Sequence, residues 1–233
     1  MKLIHHGLIL GATQSGKSNT MVFLADTQLS YKRIVIIVNT KREPAITEHC
    51  MYRPENIDQF RFFLMRGVND GIIQIMPELK RRKPLDDLEP YFVEILAYNQ
   101  EHPLVEMVLF VDEIHQYQSA HAANDCILNL FLMGLGLNLI VVGVSQSPQQ
   151  IYKEIWRNVE VIILHALHQS VLKYLVGNLY LSNIPDEWMI KLDNPACEYP
   201  FTRKLDEKGI SHVVFMQVSK FLGLQEIDLK PLW

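Results

Sequence analysis

The chain has 233 residues, of which 48 % are hydrophobic and 21 % charged, enough to bury the core of one large domain with small additions. Its net charge of −4 and pI near 6.1 exclude a surface that is basic all round, and with it a small monomeric DNA-coating protein. A motor whose basic residues are confined to a ring lumen stays compatible with that balance.

In chain order, Leu3-Ile4-His5-His6-Gly7-Leu8-Ile9-Leu10 reads as a short buried strand, and Asn19 to Asp26 continues as a helix carrying Met21, Val22, Phe23 and Leu24. Arg33 to Val38 is β-branched and therefore a second buried strand, followed by a polar loop, Asn39-Thr40-Lys41-Arg42-Glu43-Pro44. Ile57 to Met65 looks helical, and Ile72 to Met76 gives a strand that stops at Pro77. Leu88, Phe92, Ile95 and Leu96 recur at helical spacing within Leu85 to Gln100. Val105–Val111 is a strand, Ala122–Leu135 a helix, Leu139–Val144 a strand, Gln149–Arg157 a helix and Val159–Leu164 a strand. Val171–Leu179 reads as a helix and Ser211–Gln217 as a closing strand. Pro185 to Lys208 is the least regular stretch, within a less regular segment of about residues 180–233. Strands that alternate with helices and are apolar on both faces form a parallel sheet covered on both sides. One α/β domain spanning residues 1–233 is expected.

Between the first strand and the first helix, Gly11-Ala12-Thr13-Gln14-Ser15-Gly16-Lys17-Ser18 fills the phosphate-loop pattern G-x-x-x-x-G-K-[ST] without a mismatch. Gly11 and Gly16 let the backbone curl so that successive N–H groups point at one anion, and the helix beginning at Ser18 and Asn19 adds its positive end. Gly11 to Asn19 therefore form the expected nucleotide cradle, with Lys17 on the β- and γ-phosphates and the Ser18 hydroxyl on Mg²⁺. The strand Met107-Val108-Leu109-Phe110-Val111 delivers Asp112 and Glu113 at its C-terminal end. Asp112 suits the Mg²⁺ shell, and Glu113 can orient or deprotonate a water in line with the γ-phosphate. The next strand ends in Ser145-Gln146-Ser147-Pro148, where Gln146 can sense the γ-phosphate if that strand is inserted between the two nucleotide motifs. These residues specify ATP or GTP with Mg²⁺; no guanine-reading Asn-Lys-x-Asp motif is present.

Phosphate loop, Asp-Glu pair and the stretch Gly136 to Pro148 together resemble the FtsK–HerA superfamily of DNA-pumping ATPases. Asn39-Thr40-Lys41 resembles that family's Asp-Pro-Lys loop, with Asn39 in place of the usual acid, and Arg157-Asn158 before a strand matches its layout. The resemblance covers about residues 4–165, and the compact length is similar to that of genome-packaging ATPases of membrane-containing icosahedral viruses. It implies a RecA-like P-loop fold with core strands in the order fifth, first, fourth, third, second, and the strand near residues 72–76 outside the second. It also implies ATP hydrolysis coupled to translocation of double-stranded DNA, and a homo-oligomeric ring, usually a hexamer, with nucleotide at subunit interfaces. Family members place a trans-acting arginine just before the sensor strand, but Phe131-Leu132-Met133-Gly134-Leu135-Gly136 contains none. Arg157, and less readily Arg203, are the candidates for that role. A viral motor of this kind is expected in the host cytoplasm and with the virion, docked on a capsid or membrane protein.

Other signals are weaker. Lys80-Arg81-Arg82-Lys83 and Lys41-Arg42 suit DNA phosphates but equally suit solvated loops. The nine histidines lack a structural-zinc pattern, although His115 and Gln116 follow Glu113 closely enough to contact it or its neighbours. Trp156, Trp188 and Trp233 read as packing residues. Cys50, Cys126 and Cys197, with no C-x-x-C, read as reduced thiols. The longest apolar run, around Leu128 to Val144, is broken by Gly134, Gly136 and Asn138 and falls short of a membrane span, and the N-terminal apolar stretch reads as a strand, not a signal. Rival readings are a cellular HerA-like repair or conjugation motor, a P-loop kinase, and a non-translocating ATPase switch or assembly factor. A kinase normally sets the acid-bearing strand beside the loop strand, so strand order separates it from the others.

Overall fold

The computed structural model describes residues 2–13, 15–77, 85–119, 122–123, 125–165, 167–178, 213–217 and 225–228. Gln14, Lys80 to Lys83, His121, Trp188, Cys197, Arg203, Trp233 and the irregular stretch 185–208 lie outside them.

The element order is β1 (Gly7–Leu10), α1 (Lys17–Ser30), β2 (Ile34–Val38), α2 (Pro44–His49), β3 (Cys50–Tyr52), α3 (Ile57–Met65), β4 (Ile72–Ile75), α4 (Leu85–Glu101) and β5 (Met107–Val111). There follow a 3-10 turn (Ile114–Tyr117), the two-residue pair β6 (Gln118–Ser119) and β7 (Ala122–Ala123), α5 (Asp125–Met133) and a second 3-10 turn (Gly134–Leu137). The remainder is β8 (Leu139–Ser145), a turn at Pro148–Gln150, α6 (Lys153–Asn158), β9 (Val161–Leu164), α7 (Gln169–Gly177), β10 (Val213–Gln217) and β11 (Gln225–Asp228).

Among the described residues, nine strands form one sheet in the order β11-β10-β9-β1-β8-β5-β2-β4-β3. The seven from β9 to β3 are parallel, while β10 and β11 join antiparallel at the β9 edge. The five core strands stand in the expected order, with β4 outside β2. Period-two alternation divides each central strand between two cores. Leu8, Leu10, Ile36, Val38, Leu109 and Val111 pack under α3 to α7. Ile9, Val35, Ile37, Val108 and Phe110 pack against the Met21–Ala25 stretch of α1 and Ile46 of α2. Because both faces are apolar and covered, every central position is buried, as a parallel sheet requires.

The structure corrects several boundaries. The first strand starts at Gly7 and not at Leu3, whose N–H donates to Gln28 Oε1 at 2.9 Å and whose carbonyl accepts from Arg33 Nη1 at 2.7 Å. The helix expected over Ala122–Leu135 is confined to Asp125–Met133, and the glycine-bearing Gly134–Leu137 tightens into a 3-10 turn. The helix expected over Gln149–Arg157 is interrupted where Ile151 turns extended (φ −75°, ψ 129°). Within the stretch read as a polar loop, Pro44 opens the short helix α2 at its first position, where its missing N–H is harmless. The edge strands β3 and β11 are additions that the sequence pattern did not reveal. Cys50 and Cys126 are free thiols, and no helix among the described residues is long and apolar enough to cross a membrane.

Candidate nucleotide site

Strand registers build the site. Parallel pairing sets Leu10 beside Ser145 on one side and beside Leu164 on the other, while Val38 lies beside Val111. The segments leaving β1, β8, β9, β5 and β2 therefore emerge along one sheet edge. Here β8 lies between the loop strand β1 and the acid-bearing strand β5, unlike the kinase arrangement. Open parallel sheets bind ligands at this carboxyl edge.

The phosphate loop is held from below. Gly11 N donates to Ser145 O at 3.2 Å, and His165 N donates to Leu10 O at 2.7 Å. His165 Nδ1 lies 2.7 Å from Ser15 O; a carbonyl only accepts, so Nδ1 carries the proton. Gly16 closes the turn at φ 90°, a left-handed conformation that favours glycine, and is the residue from which α1 starts. No side chain among the described residues caps that helix end, which leaves its amide dipoles for an anion. Ala12 and Thr13 are exposed, Ser18 and Asn19 half-buried, and Ser15 buried.

Gly11 has no room for a side chain. A Cβ there would lie 2.4 Å from Ser15 Oγ and 2.5 Å from His165 Cβ. Gly11→Ala is therefore expected to displace the loop and weaken binding of a non-hydrolysable ATP analogue at least about tenfold, while lowering stability by about 1–3 kcal/mol. Calorimetric titration beside a thermal melt checks both; an unchanged affinity contradicts the cradle geometry.

Lys17 is buried in the loop, its Nζ donating to Ala12 O at 2.7 Å. Burial, and then the nearby Lys41 ammonium, lower its pKa to about 8. Asp112 is buried too; burial and Glu43 raise its carboxyl to about 6 against the opposing charges of Lys41 and Lys17. Asp112 Oδ2 has no hydrogen-bond partner among the described residues. That buried carboxylate oxygen and the Ser18 hydroxyl are hard donors of the kind Mg²⁺ takes together with nucleotide oxygens and water, so the residues fit the ion. A bound cation would also favour the ionised carboxylate.

Glu113 is fully buried at φ 50°, in the left-handed region. For a non-glycine residue this is strained by about 1–3 kcal/mol, and such strain clusters at functional sites. Its carboxylate meets the Lys41 ammonium, and Oε2 lies 3.1 Å from His115 Nδ1. His115 Nδ1 is also 3.0 Å from Ser145 Oγ, which accepts from Ser147 N at 2.9 Å. Burial followed by the Lys41 and Lys17 charges lowers the His115 pKa to about 4, keeping the ring neutral. Gln146 joins the phosphate loop directly: Thr13 Oγ1 donates to Gln146 Oε1 at 2.7 Å.

The loop after β2 supplies residues that motif reading undervalued. Thr40 Oγ1 donates to Asp112 O at 2.7 Å and also bonds the Tyr117 hydroxyl. Asn39, standing where the related loop carries an acid, folds the chain onward: its Oδ1 accepts from Glu43 N at 2.9 Å and its Nδ2 donates to Glu43 O at 3.2 Å. Lys41 turns inward onto Glu113. Arg42 instead donates to Pro77 O at 3.1 Å. Arg157 lies apart on the last turn of α6, 66 % exposed, with its guanidinium 2.6 Å from Glu154 Oε1. Adjacency of β2 and β5 was the signal that could have placed Lys41 beside Glu113.

The buried histidines make stability depend on pH. Burial lowers His165 to about 3 and His6 to about 4, against 6.5 for each when unfolded. Below about pH 6.5 the unfolded chain takes up protons that the folded chain refuses, so stability is lost as pH falls. Between about pH 7 and 5 this amounts to about 2 kcal/mol for each ring. Urea unfolding of wild type and His165→Gln checks it; the variant should lose about 2 kcal/mol less over that interval.

No family model and no curated protein matches the sequence. Solved structures do match. Over 95 % of both chains, the fold is similar to that of the genome packaging NTPase B204 from Sulfolobus turreted icosahedral virus 2 in complex with ATP-gammaS, at TM-score 0.67 and 11 % identity. The AMPPCP complex of that NTPase matches at TM-score 0.67 and 12 % identity, covering 95 % of this chain and 96 % of the other. VirB4 of Thermoanaerobacter pseudethanolicus matches at TM-score 0.57 and 10 % identity over 95 % of this chain and 87 % of its own. The chain thus has the RecA-like α/β fold that its resemblance to FtsK–HerA ATPases implied.

Proposed function

We propose that the protein hydrolyses ATP to move double-stranded DNA, as the packaging motor of a virus. The observation that carries this reading is the insertion of β8 between the loop strand and the Asp112–Glu113 strand, with Gln146 bonded to Thr13. That order sets a buried acid, a phosphate-binding loop and a polar sensor on one edge, which is hydrolase equipment. The fold likeness to a genome packaging NTPase supports the choice of motor.

In the reaction, Gly11 to Asn19 cradle the phosphates and Lys17 neutralises charge gathering on the γ-phosphoryl oxygens. Ser18 and Asp112 would hold Mg²⁺, which when bound would supply further neutralisation of phosphate charge. Glu113 orients a water for in-line attack. The water oxygen bonds to Pγ while the bond from Pγ to the bridging oxygen breaks, and ADP leaves with that electron pair. Glu113 takes the water proton and returns it to phosphate or solvent. Gln146, tied to Thr13, reports the state of the γ-phosphate to the segment after β8.

The proposed assembly is a ring, most simply a hexamer, in which the exposed Arg157 reaches a neighbour's nucleotide and DNA threads the centre. Its setting would be the host cytoplasm and the virion, with a capsid or membrane protein as docking partner. A cellular repair or conjugation motor would share this chemistry. ATP-dependent displacement of a third strand from a DNA triplex tests translocation; no displacement by assembled, hydrolysing protein would leave a non-translocating switch or assembly factor instead.

A further inference from the structure

Lys41 is not part of the phosphate-loop motif, yet its ammonium occupies the middle of the site. It meets the Glu113 carboxylate, a fully buried group, while its own side chain is 34 % exposed. The same charge bears on Lys17, on His115 and on Asp112. Its backbone is fixed by neighbours: the Thr40 hydroxyl holds Asp112 O, and Asp112 N donates to Val38 O at 3.1 Å.

A carboxylate beside an ammonium is a weaker base, because the cation stabilises its ionised form. Glu113 cannot hold Lys41 fully and polarise water fully at once. A γ-phosphate arriving on Lys17 brings more than one negative charge into the same buried space and competes for the second lysine. The Lys17 and Lys41 ammonium groups share that space and repel each other, so an added anion is favoured between them.

We propose that Lys41 is a second phosphate-reading lysine and a latch: it holds Glu113 when no γ-phosphate is bound, and moves onto the γ-phosphate when ATP enters. The move frees Glu113 for water only when a triphosphate is present, and adds a cation where charge develops during transfer. A diphosphate does not reach it, so Lys41 distinguishes ATP from ADP. This rests on the ATPase reading above.

The test compares wild type, Lys41→Met and Lys41→Arg for binding of ADP and of β,γ-methylene ATP with Mg²⁺, and for ATP turnover. A charge-assisted contact to phosphate predicts that Lys41→Met loses about tenfold in affinity for the triphosphate analogue, with ADP affinity within about twofold. Turnover should fall about 10²-fold at saturating ATP, and Lys41→Arg should recover much of both. Triphosphate preference unchanged in Lys41→Met, or turnover equal to or faster than wild type, overturns the assignment. A wild type that neither binds nor hydrolyses ATP overturns the ATPase reading itself, so the two failures are distinct. Lys41→Met leaves the buried Glu113 carboxylate without its cation, so a lower melting temperature is expected for it and a near wild-type one for Lys41→Arg; affinities are compared at a temperature where all three are folded.

Discussion

Glu113→Gln should reduce ATP turnover by about 10²–10⁴-fold while leaving affinity for a non-hydrolysable analogue within about twofold. The substitution keeps shape and buried volume but removes the proton-accepting carboxylate. Gln tolerates φ 50° no worse than Glu, so the backbone turn after β5 is not a second variable. The neutral amide also frees the Lys41 ammonium, which is partly exposed and can be solvated where it stands. Stability should therefore change little, and a nucleotide-bound, stalled enzyme should result. Steady-state turnover beside equilibrium binding makes the measurement; turnover above about a tenth of wild type would remove Glu113 from its role.

Lys17→Ala should act on both binding and chemistry. Loss of one charge-assisted phosphate contact weakens ATP binding by roughly 10–100-fold. Loss of a cation aimed at the developing charge lowers kcat by about 10²–10³-fold more. The structure adds a discriminating expectation. Burial opposes the charge on the Lys17 ammonium and lowers its pKa to about 8. Removing the side chain relieves that penalty, so the melting temperature of the nucleotide-free protein should not fall. The upward thermal shift on adding ATP and Mg²⁺ should vanish. A variant that loses stability but keeps that shift would contradict the assignment of Lys17 to the phosphates.

Much of this site was legible in the sequence, and for identifiable reasons. The loop Gly11 to Ser18 and the acid pair after Met107–Val111 are local signals, each bounded by an apolar run of strand length. The strand order followed once those motifs were related to the FtsK–HerA layout. Local patterning failed where elements are too short to carry a period, as in the six-residue α2 and the three-residue β3. It also failed for contacts made by register. Thr40 and Asp112 are 72 residues apart, yet they touch because Val38 and Val111 are paired in adjacent strands. Lys41 was read as a candidate for DNA and stands on Glu113 for the same reason. His165 gives no motif at all; it follows Leu164, which is paired with Leu10, and so arrives beneath the phosphate loop. Arg157 differs again: the role proposed for it, on a neighbouring copy, would leave no mark within one chain.

The most direct measurement is steady-state ATP hydrolysis by the assembled protein, with Mg²⁺, in the presence and absence of long double-stranded DNA. A DNA-coupled motor predicts Mg²⁺-dependent turnover that rises several-fold with DNA and is lost in Glu113→Gln. Turnover indifferent to DNA in a preparation verified to be assembled would contradict the motor, and absence of turnover would contradict the hydrolytic role given to Glu113, Lys17 and Asp112.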